Sequence, residues 1–429
     1  MSAGSDPRAS GTRGDGALGV HAAPLLATGR PLVRRGGARR MATAVLAVVV
    51  VAGGIAALSM SGRLAGRPSP AALARRDASA FLARYVAPDG RVVRTDQGGT
   101  TVSEGEGYAL LLAVAIGDRS TFARVWKWEE RHLQLRDGLF AYLWRDGSVE
   151  NASPAADADL DTAWALVLAG RRFGDPRYTA AGSRVATSIL SHETVTVPTT
   201  GTAPGRAGSV ELVAGPWGRR TPFTVNPSYL SPEAMAALAR LTGQKTWDRL
   251  EVDSLALLGN LQHGEAGGLL PDWATVSSTG EAQPSGSESG SGSGSGSAGR
   301  PTYGLTAERV AVWYAADCSA RGRAIAADMW RTLRGLPSSG GRTAYSLDGT
   351  ALARTVNPLG YVASAAAAYS GGHEKAGLDL LARADRQNSR FHTYYGGAWT
   401  ALGRVLLDTT WLSSCPPGQI NRPEAGRSP

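Results

Sequence analysis

The sequence has few of the residues that metal, redox and nucleotide sites require. It contains two cysteines and six histidines among 429 residues, and the histidines show no metal-ligand spacing. No Ser-His-Asp or Cys-His arrangement is recognisable, and the glycine-rich stretches lack the lysine of a phosphate-binding loop. We therefore expect no metal and no cofactor.

Positive charge is also scarce outside the N-terminal region. The formal net charge is +9, but residues 1–67 hold nine arginines against Asp6 and Asp15, which places +7 of it there. The rest of the chain carries only +2, so we expect no basic face for a nucleic acid.

The N-terminal region predicts a membrane anchor. Residues 1–40 are rich in Gly, Ala, Pro and Arg, which is typical of a disordered cytoplasmic tail. Residues 41–60 are uncharged and apolar enough to cross a bilayer, and arginines at 34, 35, 39 and 40 precede them. Positive charge keeps that side in the cytoplasm, so we predict a single-pass protein of the cell membrane with an extracytoplasmic C-terminal domain. The alternative is a cleaved signal peptide and a secreted protein.

The two cysteines suit an exported protein. Cys318 and Cys415 could form one disulfide between a late helix and the C-terminal tail. The alternative is two unpaired buried thiols.

Helical periodicity returns throughout the rest of the chain and predicts an all-α domain. After a spacer at 61–70, the domain covers 71–412 and a tail follows at 413–429. Two layers of six helices would bury twelve amphipathic faces in one domain, with long connections at about 134–159, 193–230 and 263–304 collected on one face. The predicted helices are 71–86, 104–116, 119–133, 160–172, 177–192, 231–243, 246–262, 305–316, 320–335, 355–370, 373–387 and 394–410.

Two connections carry further predictions. Residues 277–300 include Ser-Gly repeats and are interpreted as a flexible insertion. Residues around 196–225, with Val195, Val197, Val210 and Leu212, could pair as a small hairpin.

Two acidic stretches stand where helices are predicted to begin. Ser103 is a good N-cap, and Glu104 lies at the exposed start of the helix that follows. Glycines flank Glu106 at a cost in helix propensity, which leaves room for a close approach to the backbone.

The second stretch, 157–161, has aspartates at alternating positions before the helix of Trp164. These could be helix caps or functional groups. Glycosidic bond hydrolysis needs two carboxyl groups, which Glu104 and this cluster could supply.

These stretches resemble glycoside hydrolase family 8. Residues 103–108 resemble its Ser-Glu-Gly-x-x-Tyr motif, and residues 156–159 resemble its Ala-Ser/Thr-Asp-Ala/Gly-Asp signature, with Ala156 in place of the hydroxyl residue. Further similar stretches are 88–93, 226–230, 271–273 and 394–395. The resemblance implies an (α/α)6 barrel and an inverting reaction with Glu104 as general acid. It also implies that Asp159, with Asp157, holds the sugar or acts on the attacking water.

One departure from that family concerns the catalytic base. Many members carry a base aspartate in a Tyr-Asp-Ala-x-Arg segment, whereas this chain has Thr306 at that position. Threonine cannot accept a proton at neutral pH. Glu281 and Glu288 in the insertion, and Glu308, are the candidate replacements.

Aromatic and polar residues in the long connections could line a sugar groove. Each aromatic candidate could equally be a core or loop anchor. The candidates are Trp144, Trp217, Trp273, Tyr229, Asn226, Arg309 and Tyr394, whereas Trp126, Trp164, Trp313 and Trp330 have helical apolar neighbours and are interpreted as core.

The resemblance implies a glycosidase that cuts internal β-1,4 bonds of a glucan. Its branch resembles the cellulases that accompany bacterial cellulose synthases, so a cellulose or exopolysaccharide synthase is a possible partner. One alternative is a catalytically impaired polysaccharide-binding or assembly protein, which Thr306 favours. Others are a chitosanase or xylanase on the same fold and a polysaccharide lyase, although the sequence has no obvious base cluster for a lyase.

Overall fold

Twelve α-helices form most of the part of the chain that the computed structural model describes, namely residues 68–198, 208–264, 268–286 and 300–413. All twelve predicted helices are confirmed. They are α1 (Pro70–Tyr85), α2 (Ser103–Ile116), α3 (Arg119–His132), α4 (Ala156–Phe173), α5 (Pro176–His192), α6 (Pro232–Thr242), α7 (Lys245–Gly264), α8 (Glu308–Ala315), α9 (Ala320–Leu333), α10 (Pro358–Ser370), α11 (Glu374–Phe391) and α12 (Tyr394–Asp408).

Some predictions fall on other parts of the chain. The predicted membrane span at 41–60, the N-terminal tail, the C-terminal tail beyond residue 413, Cys415 and Glu288 lie outside the described residues. Among the helices that are described, none combines the length and the apolar character that a membrane crossing requires.

The even-numbered helices make an inner ring. α2, α4, α6, α8, α10 and α12 contact one another in chain order, and α12 contacts α2, which closes the ring. The odd-numbered helices pack around it: α1 on α2 and α12, α3 on α2, α5 on α4 and α6, α7 on α6, α9 on α8 and α10, and α11 on α10 and α12. The described helices therefore form two layers of six.

The composition of each helix explains its layer. α2 has fourteen residues and buries twelve of them, because its neighbours cover it on every side. α11 has eighteen residues and buries only Gly377, Leu380, Leu381 and Ala384, which form one stripe facing the ring. An α-helix that is apolar all round must be enclosed by others, whereas an amphipathic one can face water.

Aromatic rings fill the centre of the inner ring. Tyr108 of α2 packs edge-on against Trp399 of α12, with ring centroids 5.4 Å apart, and Trp399 packs against Trp313 of α8 at 5.2 Å. Trp313 then meets Trp164 of α4 at 6.2 Å. Such pairs contribute about 0.5–1.5 kcal/mol each beyond the area they bury. Trp126, Trp164 and Trp313 are buried, as predicted, and Trp330 is half-buried against the same core.

Short antiparallel strands fill the long connections. Four sets occur within the described ranges: β1 (Thr101–Val102) with β2 (Leu143–Arg145) and β3 (Ser148–Asn151); β4 (Thr194–Val197) with β5 (Ser209–Leu212); β6 (Phe223–Val225) with β7 (Trp273–Val276) and β8 (Ala282–Ser285); and β9 (Thr302–Gly304) with β10 (Ala344–Ser346). The β4–β5 pairing confirms the predicted hairpin.

Three local predictions differ from the structure. Val102 rather than Ser103 is the N-cap of α2, and Ser103 is already helical. α4 begins at Ala156, four residues before its predicted start, so Asp157 and Asp159 lie inside its first turns and neither is the N-cap. The predicted flexible insertion at 277–300 begins with ordered residues, because a turn at 277–281 returns the chain into β8 against β7.

Candidate active site

Glu104 lies in the first turn of α2, at the end of the ring where the inner helices begin. The hydroxyl of Tyr108, one helical turn later, donates a hydrogen bond of 2.7 Å to Glu104 Oε1. Arg309 Nη1 donates to the same oxygen at 2.5 Å. The Glu104 side chain keeps 19% of its surface exposed, so its carboxyl group is held in place and still reaches solvent.

Asp157 occupies the matching position in the first turn of α4. Its Oδ2 atom accepts a hydrogen bond of 2.8 Å from Arg309 Nη1, the same nitrogen that contacts Glu104. Burial raises the pKa of Asp157 to about 6, with the Arg309 charge opposing that rise and the Glu104 charge adding to it. One guanidinium nitrogen thus joins two carboxyl groups that stand on different helices.

Arg309 of α8 is the centre of this group. Its side chain is 2% exposed, and its Nε and Nη2 atoms both donate to Ser228 Oγ, at 3.1 and 2.6 Å. Asn226 fixes that serine, because Asn226 Oδ1 accepts from Ser228 N and Oγ. The guanidinium carbon lies 5.4 Å from the ring centre of Tyr229, a favourable cation–π distance. Arg309 was predicted to bind substrate; in the structure it lines the cleft and joins the carboxyl groups of Glu104 and Asp157.

A cleft of about 160 Å³ opens over these groups. Trp273 forms part of its wall, with Trp217 at 6.2 Å and Tyr229 at 6.1 Å between ring centroids. The residues that line it come from the long connections and helix starts, as predicted from the loop lengths: Glu104, Tyr142, Asn151, Ser153, Pro154, Ala155, Asp157, Trp217, Tyr229, Trp273, Thr306 and Arg309.

Three predicted binding residues do not line the cleft. Trp144 packs against His132 and Trp128, with ring centroids 5.0 and 5.6 Å apart. Asn226 is 1% exposed and acts through Ser228. Tyr394 is 1% exposed and lies beneath the backbone of α2, so these three residues support the cleft from outside it.

Asp159 points away from the cleft. It is fully buried, and its Oδ1 accepts a hydrogen bond of 2.8 Å from Phe140 N. Its carboxyl group also interacts with that of buried Glu193. Burial, followed by the neighbouring carboxyl group, raises the pKa of Glu193 well above its usual range. Residues two apart on a helix project about 200° apart, which explains why Asp157 faces the cleft and Asp159 does not.

The candidate bases predicted from the sequence lie in unsuitable places where they are described. Glu308 is fully buried, and within the described ranges no group donates a hydrogen bond to either of its oxygens. Glu281 is exposed at the end of the β7–β8 turn. Neither residue lines the cleft.

Asp272 is the residue that the sequence did not single out. It stands immediately before β7 and accepts a 2.6 Å hydrogen bond from the hydroxyl of Thr306, which does line the cleft. Thr302 Oγ1, Gly304 N and Ala307 N also donate to Asp272, at 2.7, 3.1 and 2.9 Å. Its only sequence signal was the resemblance of residues 271–273 to the family's pattern.

No group of three or more His, Cys, Asp or Glu side chains in the described ranges is arranged to hold a metal ion. The site is therefore a set of carboxyl groups, one arginine and an aromatic wall.

The family model described as glycosyl hydrolases family 8 matches residues 57–293, more than half of the chain. The chain belongs to glycosyl hydrolases family 8.

The proteins that this chain resembles include endoglucanases. The chain is 33% identical over 222 residues to an endoglucanase of Cellulomonas uda, a match that covers 50% of this chain and 59% of the relative. It is 32% identical over 237 residues to a probable endoglucanase of Novacetimonas hansenii, covering 54% and 66%. The chain thus spans between half and two thirds of the length of these relatives. The solved endo-β-1,4-glucanase CMCax from Acetobacter xylinum superposes with a TM-score of 0.62 at 25% identity, covering 79% of this chain and 98% of that one.

The glycines beside Glu106 let this family 8 site pack tightly. A Cβ atom on Gly105 would lie 2.3 Å from the Tyr394 hydroxyl, and one on Gly107 would lie 3.2 Å from Asp161 Cβ. The close approach predicted from the sequence is therefore made by neighbouring inner helices.

Gly105→Ala is expected to lower the free energy of unfolding by about 1–3 kcal/mol, because the rigid, buried Tyr394 ring must move. Chemical denaturation measures this. Gly259→Ala is the matched control, since that helical glycine has no neighbour within 4 Å of an added Cβ. The control should gain about 0.8–1 kcal/mol from helix propensity. Equal effects of the two changes would contradict the tight packing at Gly105.

Buried carboxyl groups around the site make stability depend on pH. Burial raises the pKa of Glu106, Glu129, Asp159 and Glu193 well above the usual range, and raises that of Glu211 to about 7. The folded state therefore binds more protons than the unfolded state above pH 4. This stability is fully present below the unfolded pKa values, near 4, and is lost as pH rises through the folded values.

The free energy of unfolding should consequently fall between pH 5 and pH 8. Each such group contributes a slope of about 1.4 kcal/mol per pH unit between its unfolded and folded pKa. Glu129→Gln should reduce the slope, whereas Glu130→Gln, which changes the exposed neighbour, should leave it intact. Urea denaturation across this range provides the measurement, and a rise in stability towards pH 8 would contradict the prediction.

Proposed function

We propose that the chain is an inverting glycosidase that cleaves internal β-1,4 bonds of a glucan. The observation that carries this proposal is the pairing of Glu104 and Asp157 through Arg309 beneath an aromatic-walled cleft. The names of the relatives, endoglucanase and endo-β-1,4-glucanase, support the glucan substrate. The closed inner ring supports an (α/α)6 barrel as the scaffold.

Glu104 would act as the general acid. Its Oε1 atom accepts the hydrogen bonds of Tyr108 and Arg309, so the proton for the leaving oxygen is carried by Oε2. Because Tyr108 is buried and its hydroxyl also accepts from Trp399 Nε1 at 3.2 Å, the orientation of the acid is fixed before substrate binds.

Asp157 would hold the sugar at the cleavage point. It lines the cleft and is tied to the acid through one arginine nitrogen. Trp273, Trp217 and Tyr229 offer ring faces and edges to the apolar faces of pyranose rings. Asp159 supports this end of α4 through Phe140 N.

Hydrolysis of a panel of polymers tests the proposal. The chain is incubated with carboxymethyl-cellulose, chitosan and xylan, reducing ends are counted, and the anomer released first is read by NMR. We expect cleavage of carboxymethyl-cellulose with release of the α-anomer. Preference for chitosan or xylan would reassign the substrate, and an unsaturated product absorbing in the ultraviolet would indicate a lyase.

A second candidate function is polysaccharide binding without catalysis. The observation that favours it is Thr306 at the position where many family members have an aspartate. A chain that binds cellulose in a pull-down and releases no reducing ends would be such a protein.

We also propose that residues 41–60 anchor the protein in the cell membrane, with the enzyme outside and close to a cellulose or exopolysaccharide synthase. The apolar composition of that segment and the arginines before it support the proposal. Retention in the membrane after carbonate washing, with protease access from outside, tests it.

A disulfide between Cys318 and Cys415 fits the same location, and thiol alkylation with and without reductant tests that pairing.

A further inference from the structure

An inverting hydrolysis needs a base to take a proton from water. Among the described residues that line the cleft, the carboxyl groups are those of Glu104 and Asp157. Both accept hydrogen bonds from Arg309, and the second oxygen of Asp157 accepts from Ala158 N. Glu104 is proposed above as the acid and Asp157 as the group that holds the sugar, which leaves the base unassigned.

Thr306 offers an indirect route. It lines the cleft, and its hydroxyl hydrogen is donated away from it, to Asp272 Oδ1 at 2.6 Å. With the hydrogen committed to Asp272, the lone pairs of the Thr306 oxygen are left to accept a hydrogen bond. A water in the cleft can supply that hydrogen bond. A hydroxyl that donates so short a hydrogen bond to a carboxylate is also well placed to pass a proton to it.

Asp272 is held firmly enough to serve this purpose. Gly304 N and Ala307 N donate to the same oxygen as Thr306, and Thr302 donates to the other oxygen. These donors come from β9 and the start of α8, so they fix the carboxylate relative to Thr306. Because the proton has to cross two hydrogen bonds instead of one, turnover should be slower than with an aspartate placed directly in the cleft.

We propose that Asp272 and Thr306 together replace the missing base aspartate, a proposal that rests on the glycosidase function proposed above. As the water oxygen bonds to the anomeric carbon, one water proton moves to Thr306 Oγ1 while the proton already on Thr306 moves to Asp272 Oδ1. Thr306 thus passes a proton on and never carries an extra one. The bond from the anomeric carbon to the leaving oxygen breaks, and that oxygen takes the proton of Glu104. Asp272 ends protonated and Glu104 ionised, and exchange with solvent restores both.

Two threonines provide a matched test, because both donate a hydrogen bond to Asp272 and only Thr306 lines the cleft. Thr306→Val should lower kcat on carboxymethyl-cellulose by about 10²–10⁴-fold with KM nearly constant, the usual range for loss of general base catalysis. Thr302→Val removes one of the hydrogen bonds that hold Asp272 but leaves the path from the cleft to Asp272 complete, so it should lower kcat by no more than about tenfold, far less than Thr306→Val. If Asp272 were only a structural anchor, the two changes would have similar effects, which would overturn the proposal.

Moving the carboxyl group from position 272 to position 306 supplies a second test. Asp272→Asn should lower kcat as Thr306→Val does, because the amide cannot accept the proton that Thr306 passes on. The double variant Asp272→Asn with Thr306→Asp places the carboxylate directly in the cleft and should recover activity. Full activity of Asp272→Asn alone would exclude the relay.

The same variants separate failure of the relay from failure of the proposed function. If the wild type is inert and the double variant cleaves the polymer, the glycosidase scaffold is intact and the relay is refuted. If neither protein cleaves any of the three polymers, both the glycosidase proposal and the relay are refuted. Thr306→Ser, which restores the hydroxyl, should regain most of the activity lost in Thr306→Val, and failure to do so would count against the relay.

Discussion

Glu104→Gln is expected to lower kcat on carboxymethyl-cellulose by about 10²–10⁴-fold, the usual contribution of a general acid. The amide keeps the shape of the side chain and can still accept from Tyr108 and Arg309, but it has no proton to give to the leaving oxygen. Polymer binding should therefore persist. Reducing-end release and a cellulose pull-down, measured on the same preparations, separate the two effects.

Glu281→Gln is the matched control for this change. Glu281 is an exposed glutamate at the end of the β7–β8 turn and does not line the cleft, so its substitution should leave kcat within about twofold. An equal loss in both variants would mean that the chemistry does not depend on the carboxyl group at the start of α2. A large loss of kcat in Glu281→Gln alone would indicate that the catalytic base lies in the β7–β8 hairpin.

Arg309→Met should lower the free energy of unfolding by about 3–5 kcal/mol, because it removes the guanidinium that pairs with buried Asp157 and leaves that carboxylate uncompensated. Arg309 is 2% exposed, Asp157 is 9% exposed at its side chain, and both lie within hydrogen-bond distance of each other. The loss should be smaller at low pH, where protonated carboxyl groups no longer need the arginine. Urea denaturation at pH 5 and pH 7.5 measures both effects.

A substitution of a surface arginine provides the control for Arg309→Met. Arg331 is 72% exposed and pairs with Asp328 one helical turn away. Arg331→Met should cost about 0–1 kcal/mol, because water and salt screen such a pair. If the two substitutions destabilise equally, the cluster around Arg309 contributes no more than a surface contact, and its role in fixing Glu104 and Asp157 would have to be abandoned.

The helices were predictable from the sequence because each layer has a strong apolar pattern. Glu104 was recognised as well, since its position at a helix start is a local property of residues 103–108. The error at α4 had a physical cause: its first turn contains two aspartates and a third, Asp161, follows, so the segment looks like a polar loop. Because the helix begins earlier than predicted, Asp157 and Asp159 project in opposite directions. The sequence alone could not show which of the two faces the cleft.

The contacts that the sequence could not identify are long-range. Asp272 meets Thr306 across 34 positions of the chain, and Arg309 meets Glu104 across 205. Neither contact leaves a local pattern, because each depends on how β7, β9 and α8 are placed by the ring. The packing of half-buried Trp144 against Trp128 and His132 is likewise a tertiary outcome, and no feature of its own segment distinguishes it from Trp273.

The closure of the inner ring by α2 and α12 sets the order in which the protein can be assembled. Trp399 reaches Tyr108 across 291 positions, and Tyr85 of α1 donates to the backbone of His392 across 307. A chain emerging from a ribosome or an export channel therefore holds Glu104 for most of its synthesis without the residues that enclose it. Until the last helix arrives, the apolar sides of α2 and α10 face water, and such intermediates are prone to aggregate. A gene shortened before α12 would consequently yield an insoluble chain rather than a smaller enzyme.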